Sequence, residues 1–313
     1  MEDKELDLIV DGEVVSETNQ EVKVESKKDK KKKKDGGVFD EQKSDPNYRP
    51  DLTKGQVFAH WWFFWRMFKK AKKMNKKIKI DYNYYTEEYR YNWMKKKSIK
   101  ILKIAKIKLH VFGIENWVDK GCVLAPNHQS NLDPLLIFAV NDWLKTQPVA
   151  FMAKKEMWDN NKTERFVNLI DTVSLDRNSP RSALNAMNEA KSLITKYKRS
   201  FVIFPEGTRS GKEEMAEFLS ASMKIGQMAY CPIVPVTIID SYKLNQKDRK
   251  KVIDVKIVFG KTFLPEKFMS IKTDMLTKNV QKEVQANYDK YKDFDLKANK
   301  PKTVNKKTKA KYY

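Results

Sequence analysis

From residue 98 onward, short apolar runs alternate with stretches of helical period, and that alternation admits few architectures. Residues 106–112 alternate, with Ile107, Leu109 and Val111 on one face, until Gly113 ends the run. Residues 122–125, 149–153, 172–175, 201–204 and 233–239 are apolar runs of strand length. Residues 252–259 alternate again, with Ile253, Val255, Ile257 and Phe259 on one face. Between them, residues 134–144 and 182–197 read as helices. The second carries Ala183, Ala186, Met187, Ala190, Leu193 and Ile194 at helical spacing, preceded by Ser179-Pro180. Strands separated by helices predict an α/β fold with a mixed, largely parallel sheet flanked by helices.

The flanks differ from this domain, which spans residues 98–299. Residues 1–50 are acidic and polar, then Lys-rich: seven of the eight residues 27–34 are Lys. Such a stretch lacks the apolar area to offset its ordering entropy, so it reads as a disordered tail, and residues 300–313 read the same way. In residues 51–97, Phe58, Trp61, Trp62, Phe63, Phe64, Trp65, Met67 and Phe68 are followed by eight basic residues among the fourteen at 66–79. Five consecutive aromatics cannot share one helix face, and Trp with flanking Lys favours the boundary between water and lipid. We therefore expect a helical element lying in the membrane interface. The apolar stretch 57–68 spans only about 18 Å as a helix, too short for roughly 30 Å of hydrocarbon.

A net charge of +22 and a pI near 9.6 imply anionic partners: nucleic acid, a membrane surface or a phosphorylated substrate. Interleaved aromatic and basic residues suit single-stranded nucleic acid, but no RNP-like strand or other nucleic-acid module accompanies them. Cys122 and Cys231 both sit in apolar runs, giving no disulfide framework and fitting a reducing setting.

The most informative loop lies between a strand and a helix. Cys122 to Ala125 is apolar, Pro126 ends it, and Asp133-Pro134 reads as a helix start with Asp as N-cap. His128 stands five residues before Asp133, and a His held by an Asp can deprotonate a hydroxyl. His110 and Glu115 have the same spacing but lie in a strand pattern without a helix start; His60 has Trp65 five residues on. A second loop, Pro205-Glu206-Gly207-Thr208-Arg209-Ser210, follows the apolar run 201–204. Gly207 permits positive φ or close ligand approach, and Arg209 offers a fork suited to a phosphate. In an α/β sheet such loops lie beyond the strands' carboxyl ends, where ligands bind. Asp176-Arg177 ends another strand in the same way. The sequence has no Gly-x-Ser-x-Gly elbow, Walker loop, Rossmann glycine fingerprint or His/Cys metal cluster.

Four blocks in order resemble the glycerolipid acyltransferases, the 1-acyl-sn-glycerol-3-phosphate acyltransferase family. They are Asn127-His128-Gln129-Ser130-Asn131-Leu132-Asp133-Pro134; Leu175-Asp176-Arg177; Phe204-Pro205-Glu206-Gly207-Thr208-Arg209-Ser210; and Pro232-Ile233-Val234-Pro235-Val236. Gly113-Ile114-Glu115-Asn116 and Ala153-Lys154-Lys155-Glu156 agree, and the resemblance covers residues 106–262. Two positions depart from it: Phe218-Leu219-Ser220-Ala221 replaces the usual Phe-Lys-x-Gly, and Asp171 stands where Gly is common. The resemblance implies acyl transfer from an acyl thioester, acyl-CoA or acyl-carrier protein, to the hydroxyl of lysophosphatidic acid, yielding phosphatidic acid. Glycerol 3-phosphate or another lysophospholipid would serve as acceptor in sibling enzymes. A non-catalytic basic membrane- or nucleic-acid-binding protein is the alternative from another class. His128 would be the base and Asp133 its orienting acid. Arg209 would clamp the acceptor phosphate, with Glu206, Gly207 and Thr208 shaping that loop and Arg177 a second phosphate ligand. No metal or other cofactor is implied, and the expected location is the cytoplasmic face of the cell membrane, peripherally bound.

Overall fold

The computed structural model describes residues 49–119, 121–141 and 148–313, so the Lys-rich stretch at 27–34 lies outside the described residues. The seven expected strands form. They are β1 (Ile107–Phe112), β2 (Cys122–Pro126), β3 (Val149–Lys154), β4 (Thr172–Leu175), β5 (Ser200–Val202), β6 (Ile233–Ile239) and β7 (Ile253–Phe259), joined by β8 (Thr303–Val304) and β9 (Lys311–Tyr312). The sheet order is β4-β3-β5-β2-β6-β7-β1-β9-β8. Strands β4, β3, β5, β2 and β6 run parallel, β7 turns antiparallel to β6, and β1 runs parallel to β7. The mixed, largely parallel sheet is thus observed. Its consequence is that the carboxyl ends of β2, β3, β4, β5 and β6 share one edge, whereas those of β1 and β7 lie at the other.

Alternation along each strand sorts the core into two layers. Leu124, Val202, Val234, Val236 and Phe151 face one side, while Val123, Phe201, Ile203, Ala150 and Ile233 face the other. The first side is covered by α2 (Trp61–Ile78), α3 (Glu87–Ile104) and α4 (Asp133–Val140), with the short α1 (Lys54–Ala59) leading into α2. Two short helices, α5 (Glu156–Asp159) and α6 (Asn161–Val167), follow β3. The second side is covered by α7 (Pro180–Thr195), α8 (Lys224–Ala229) and α9 (Thr273–Tyr291), through Ala186, Ala190, Ile194, Ile225, Val280 and Val284. Several starts follow local chemistry. Thr53 and Gln56 form a capping box on α1, Thr86 caps α3, and Ser179 caps α7 ahead of Pro180.

Residues 51–97 are helical as expected, but the boundary at 97 falls inside α3, which runs on to Ile104 and packs in the main core. The helices are therefore a layer of the domain and not a separate appendage. Buried Met67, Ala71, Met74 and Ile78 give α2 an inward stripe. Residues 300–313 correct the expectation of disorder. Strand β9 pairs with β1, Ala310 is buried, and Tyr313 stacks on Phe112 with centroids 4.7 Å apart. The Lys content of this stretch masks three residues, Ala310, Tyr312 and Tyr313, that supply its apolar anchor.

Candidate active site

The His128 loop leaves the sheet where β2 ends, and its first residue fixes the exit. Asn127 uses its amide as a strand would: Nδ2 donates to Ile238 O at 2.9 Å and Oδ1 accepts from Ile238 N–H at 2.6 Å. His128 follows with Nδ1 at 2.8 Å from Asp133 Oδ2, the ring half-buried and the carboxylate fully buried. The sequence-predicted pair therefore meets. Asp133, however, does not act as N-cap. It is the first helical residue of α4, after Leu132 in the cap position, and its carboxylate points back into the loop. Oδ2 also accepts from the Gln129 and Ser130 backbone N–H groups at 2.7 and 2.8 Å, and Oδ1 accepts from Ser130 Oγ at 3.1 Å. Loop amides converging on one buried oxygen win over the helix amides, because they satisfy the charge from several directions at once.

The loop after β5 is bound to the His128 loop. The His128 N–H donates to Glu206 Oε1 at 2.6 Å, the Ala216 N–H donates to Glu206 Oε2 at 2.8 Å, and the Ser210 N–H donates to His128 O at 2.8 Å. Glu206, expected to shape the phosphate-binding loop, is buried, and both its oxygens tie backbone to backbone. Burial pushes its carboxyl up to about 7, against the two amide donors that lower it and with a smaller upward push from Asp133. The Phe204 ring stacks on the His128 imidazole, centroids 4.0 Å apart. Gly207 has φ +68, the left-handed conformation its type permits, and a Cβ there would come within 2.8 Å of Leu219 Cδ1. That Leu belongs to the departing segment 218–221, whose Phe218 is buried and whose Leu219 N–H donates to Pro205 O.

Cations gather at the same edge. Arg209 is buried after β5, Arg177 is exposed after β4, and Thr208 is half-buried beside Arg209. Lys154, the last residue of β3, joins them: burial and then the charge of Arg177 hold its ammonium below the usual range, with a further contribution from Arg209 and partial relief from Glu156. Like charges kept this close suit an anionic ligand. Lys154 stood in a family-like segment but carried no local sign of a site role.

Other candidates fall away from this edge. His110 binds Asp254 through Nε2 at 2.8 Å and Tyr313 OH through Nδ1 at 3.0 Å, and so does not pair with Glu115. His60 Nδ1 lies 3.0 Å from Gln56 O. Asp171, which stands where the family often has Gly, sits at the amino end of β4, the opposite edge. There it accepts from Arg199 Nε at 2.6 Å and Tyr82 OH at 2.9 Å. Cys122 and Cys231 are buried and not in a disulfide, and burial pushes the Cys231 thiol up to about 12. Among the described residues no group of three His, Cys, Asp or Glu is placed to hold a metal ion.

An imidazole oriented by a buried carboxylate, with cations beyond the neighbouring strand ends, is chemically suited to activating a hydroxyl beside an anion. Known proteins give that layout a lineage. A family model described as Acyltransferase matches residues 108–239. A probable 1-acyl-sn-glycerol-3-phosphate acyltransferase of Mycoplasma genitalium is 30% identical over 206 residues, 60% of this chain and 76% of that protein. Its Mycoplasma pneumoniae counterpart is 29% identical over 219 residues, 66% and 81% of the two chains. The crystal structure of a Thermotoga maritima 1-acyl-sn-glycerophosphate acyltransferase shares the fold, with TM-score 0.58 at 23% identity, over 76% of this chain and 97% of that one. The chain belongs to the 1-acyl-sn-glycerol-3-phosphate acyltransferase family and is an O-acyltransferase.

Proposed function

We propose that the enzyme transfers an acyl group from a thioester, acyl-CoA or acyl-carrier protein, to the free hydroxyl of 1-acyl-sn-glycerol 3-phosphate, giving phosphatidic acid. The observation that carries this is the 2.8 Å contact between His128 Nδ1 and Asp133 at the edge where Lys154, Arg177 and Arg209 gather. With Nδ1 engaged, Nε2 takes the proton of the acceptor hydroxyl as its oxygen attacks the thioester carbonyl. The C–O bond forms, the C–S bond breaks, and the imidazolium returns its proton to the departing thiolate. Asp133 holds the ring and stabilises its positive charge. Arg209, with Lys154 and Arg177, holds the acceptor phosphate, and the Gly207–Thr208 turn shapes its seat.

The acceptor is a lipid, so the site must open near a bilayer. Asp51, just before α1, accepts from Asn131 Nδ2 of the His128 loop at 2.7 Å, which sets the start of the helical layer at the catalytic edge. Phe58, Trp61, Trp62 and Trp65, on α1 and α2, are 80%, 56%, 51% and 46% exposed. Among the described residues no helix is long and apolar enough to cross a membrane. These features support a peripheral dock, with cationic side chains beside the rings (Lys69 over Trp65, Arg66 over Trp62) reaching anionic headgroups on the cytoplasmic face.

The test is product formation from lysophosphatidic acid and an acyl thioester by purified variants. His128→Ala and Asp133→Asn should lose at least about 100-fold in kcat, the low end for a general base. Arg209→Ala should chiefly raise KM for the phosphorylated acceptor. Full activity in His128→Ala would overturn the reading.

A further inference from the structure

Ser241 follows the carboxyl end of β6, outside all four sequence blocks. In the fold it is fully buried against the His128 loop. Its Oγ donates to Asp133 Oδ1 at 2.7 Å, and its backbone N–H donates to Gln129 Oε1 at 3.1 Å. We propose that Ser241 is a positioning residue for acyl transfer: from the end of β6 it locks the Asp133 carboxylate, and through it the His128 ring, in the orientation the base needs. The inference rests on the reading of His128 and Asp133 given above.

The pattern of donors to Asp133 carries the first part. The His128 ring, the Gln129 and Ser130 amides and the Ser130 hydroxyl all belong to the same short loop. A carboxylate bonded only to its own loop moves with that loop. Ser241 is 108 residues away in sequence, and among the described residues it is the donor that ties Asp133 to the sheet. Strand β6 is held in register beside β2, from Val123 opposite Ile233 to Pro126 opposite Val236. Ser241 therefore gives Asp133 the same frame of reference as the strand from which His128 emerges.

Two local costs surround this serine. Asp240, immediately before it, has φ 73 and ψ 4, a left-handed conformation that non-glycine residues adopt at a cost in free energy. That turn brings both the amide and the hydroxyl of Ser241 onto the loop, and an ion pair from Asp240 Oδ1 to Lys243 at 2.7 Å braces it. The second cost is at Gln129. The Ser241 N–H needs an acceptor, which turns the Gln129 side chain so that Oε1 faces it, and Nε2 is then buried without a partner among the described residues. Backbone strain and an orphaned amide both flank the contact between Ser241 and the loop. Local rules are broken in this way where a site constrains the structure more than stability does.

The experiment is a steady-state comparison of Ser241→Ala and Ser241→Thr with the wild-type enzyme, using lysophosphatidic acid and an acyl thioester. Losing one hydrogen bond to a buried charge should lower kcat by about 10-fold in Ser241→Ala. KM should stay within about twofold, because the acceptor's own contacts are untouched. Ser241→Thr, which restores the hydroxyl, should recover most of the loss. The downfield proton resonance of the His128–Asp133 hydrogen bond should move in the Ala variant and return in the Thr variant. If Ser241→Ala does not fold, Ser241→Cys keeps the shape with a weaker donor and carries the same expectation. Wild-type kcat in Ser241→Ala, or an unmoved resonance, overturns the inference. His128→Ala separates the two readings: activity there sinks the base itself, whereas its loss beside a fully active Ser241→Ala sinks only the role of Ser241.

Discussion

At the scale of single residues, this site depends on groups whose charge state and direction are set by what surrounds them. Glu206 is the sharpest case. Both its oxygens accept backbone N–H groups, an arrangement suited to the ionised form, while burial opposes ionisation and lifts its carboxyl from 4.5 to about 7. Between these two values the folded chain binds more protons at this position than the unfolded chain. Stability contributed by Glu206 therefore falls as pH rises from 4.5 to about 7, by on the order of 3 kcal/mol. Glu206→Gln should remove that slope, so that thermal melts of the variant and the wild type diverge progressively across this window. Parallel melting curves over the same range would show that Glu206 does not carry the charge change. The loop links also predict that the substitution costs activity, since the His128 N–H and the Ala216 N–H meet on this one side chain.

At the scale of elements, the helical layer over one face of the sheet is fastened at both ends by different chemistry. At the catalytic edge, Asp51 joins the His128 loop and Gln56 donates to Ile104 O. At the far edge, Asp171 accepts from Arg199 and Tyr82, Arg199 also binds Glu87 at the start of α3, and Tyr91 OH accepts from the Asp171 N–H. The Arg199 and Asp171 side chains are 8% and 10% exposed, so removing one strands a buried charge. Asp171→Ala should lower unfolding stability by about 3 kcal/mol, measured by denaturant titration, with KM for the acceptor little changed. A raised KM without loss of stability would instead tie Asp171 to substrate fit. Strand β9 illustrates the same scale: its pairing with β1 and the Phe112–Tyr313 stack order a Lys-rich segment that composition alone would leave open.

At the scale of the whole molecule, the proposed membrane dock makes the exposed aromatic and basic groups of α1 and α2 the testable surface. Replacing Trp61, Trp62 and Trp65 together by Ala should reduce binding to anionic liposomes in a sedimentation assay by at least about tenfold, because each ring contributes interfacial burial. Turnover of a short-chain, water-soluble acceptor should fall much less. Unchanged liposome binding would move the dock elsewhere on the surface.

Much of the fold was legible because its signals are local. Period-2 alternation in residues 252–259, the apolar run at Ile233–Ile239 and the helical spacing of Ala186, Ala190 and Ile194 each need only a short window to be read. The His128–Asp133 spacing was legible for the same reason, and the ordered blocks at Asp176-Arg177 and Glu206–Arg209 gave it a partner set. The direction of a side chain, by contrast, is decided by whichever distant donors reach it first. That is why Asp133 turned from the helix to its loop, why Glu206 joined backbone to backbone, and why Asp171 serves a helix anchor. Lys154 entered the cationic edge only because β3 and β4 pair in register. Ser241 came to Asp133 across 108 residues that carry no local mark of the contact. The order of elements and the candidacy of His128 with Asp133 were thus legible in the sequence through short-range sterics, hydrophobic period and spacing. Which groups hold that pair in place was decided only by the tertiary structure, because it depends on strand register and on competition for buried hydrogen bonds.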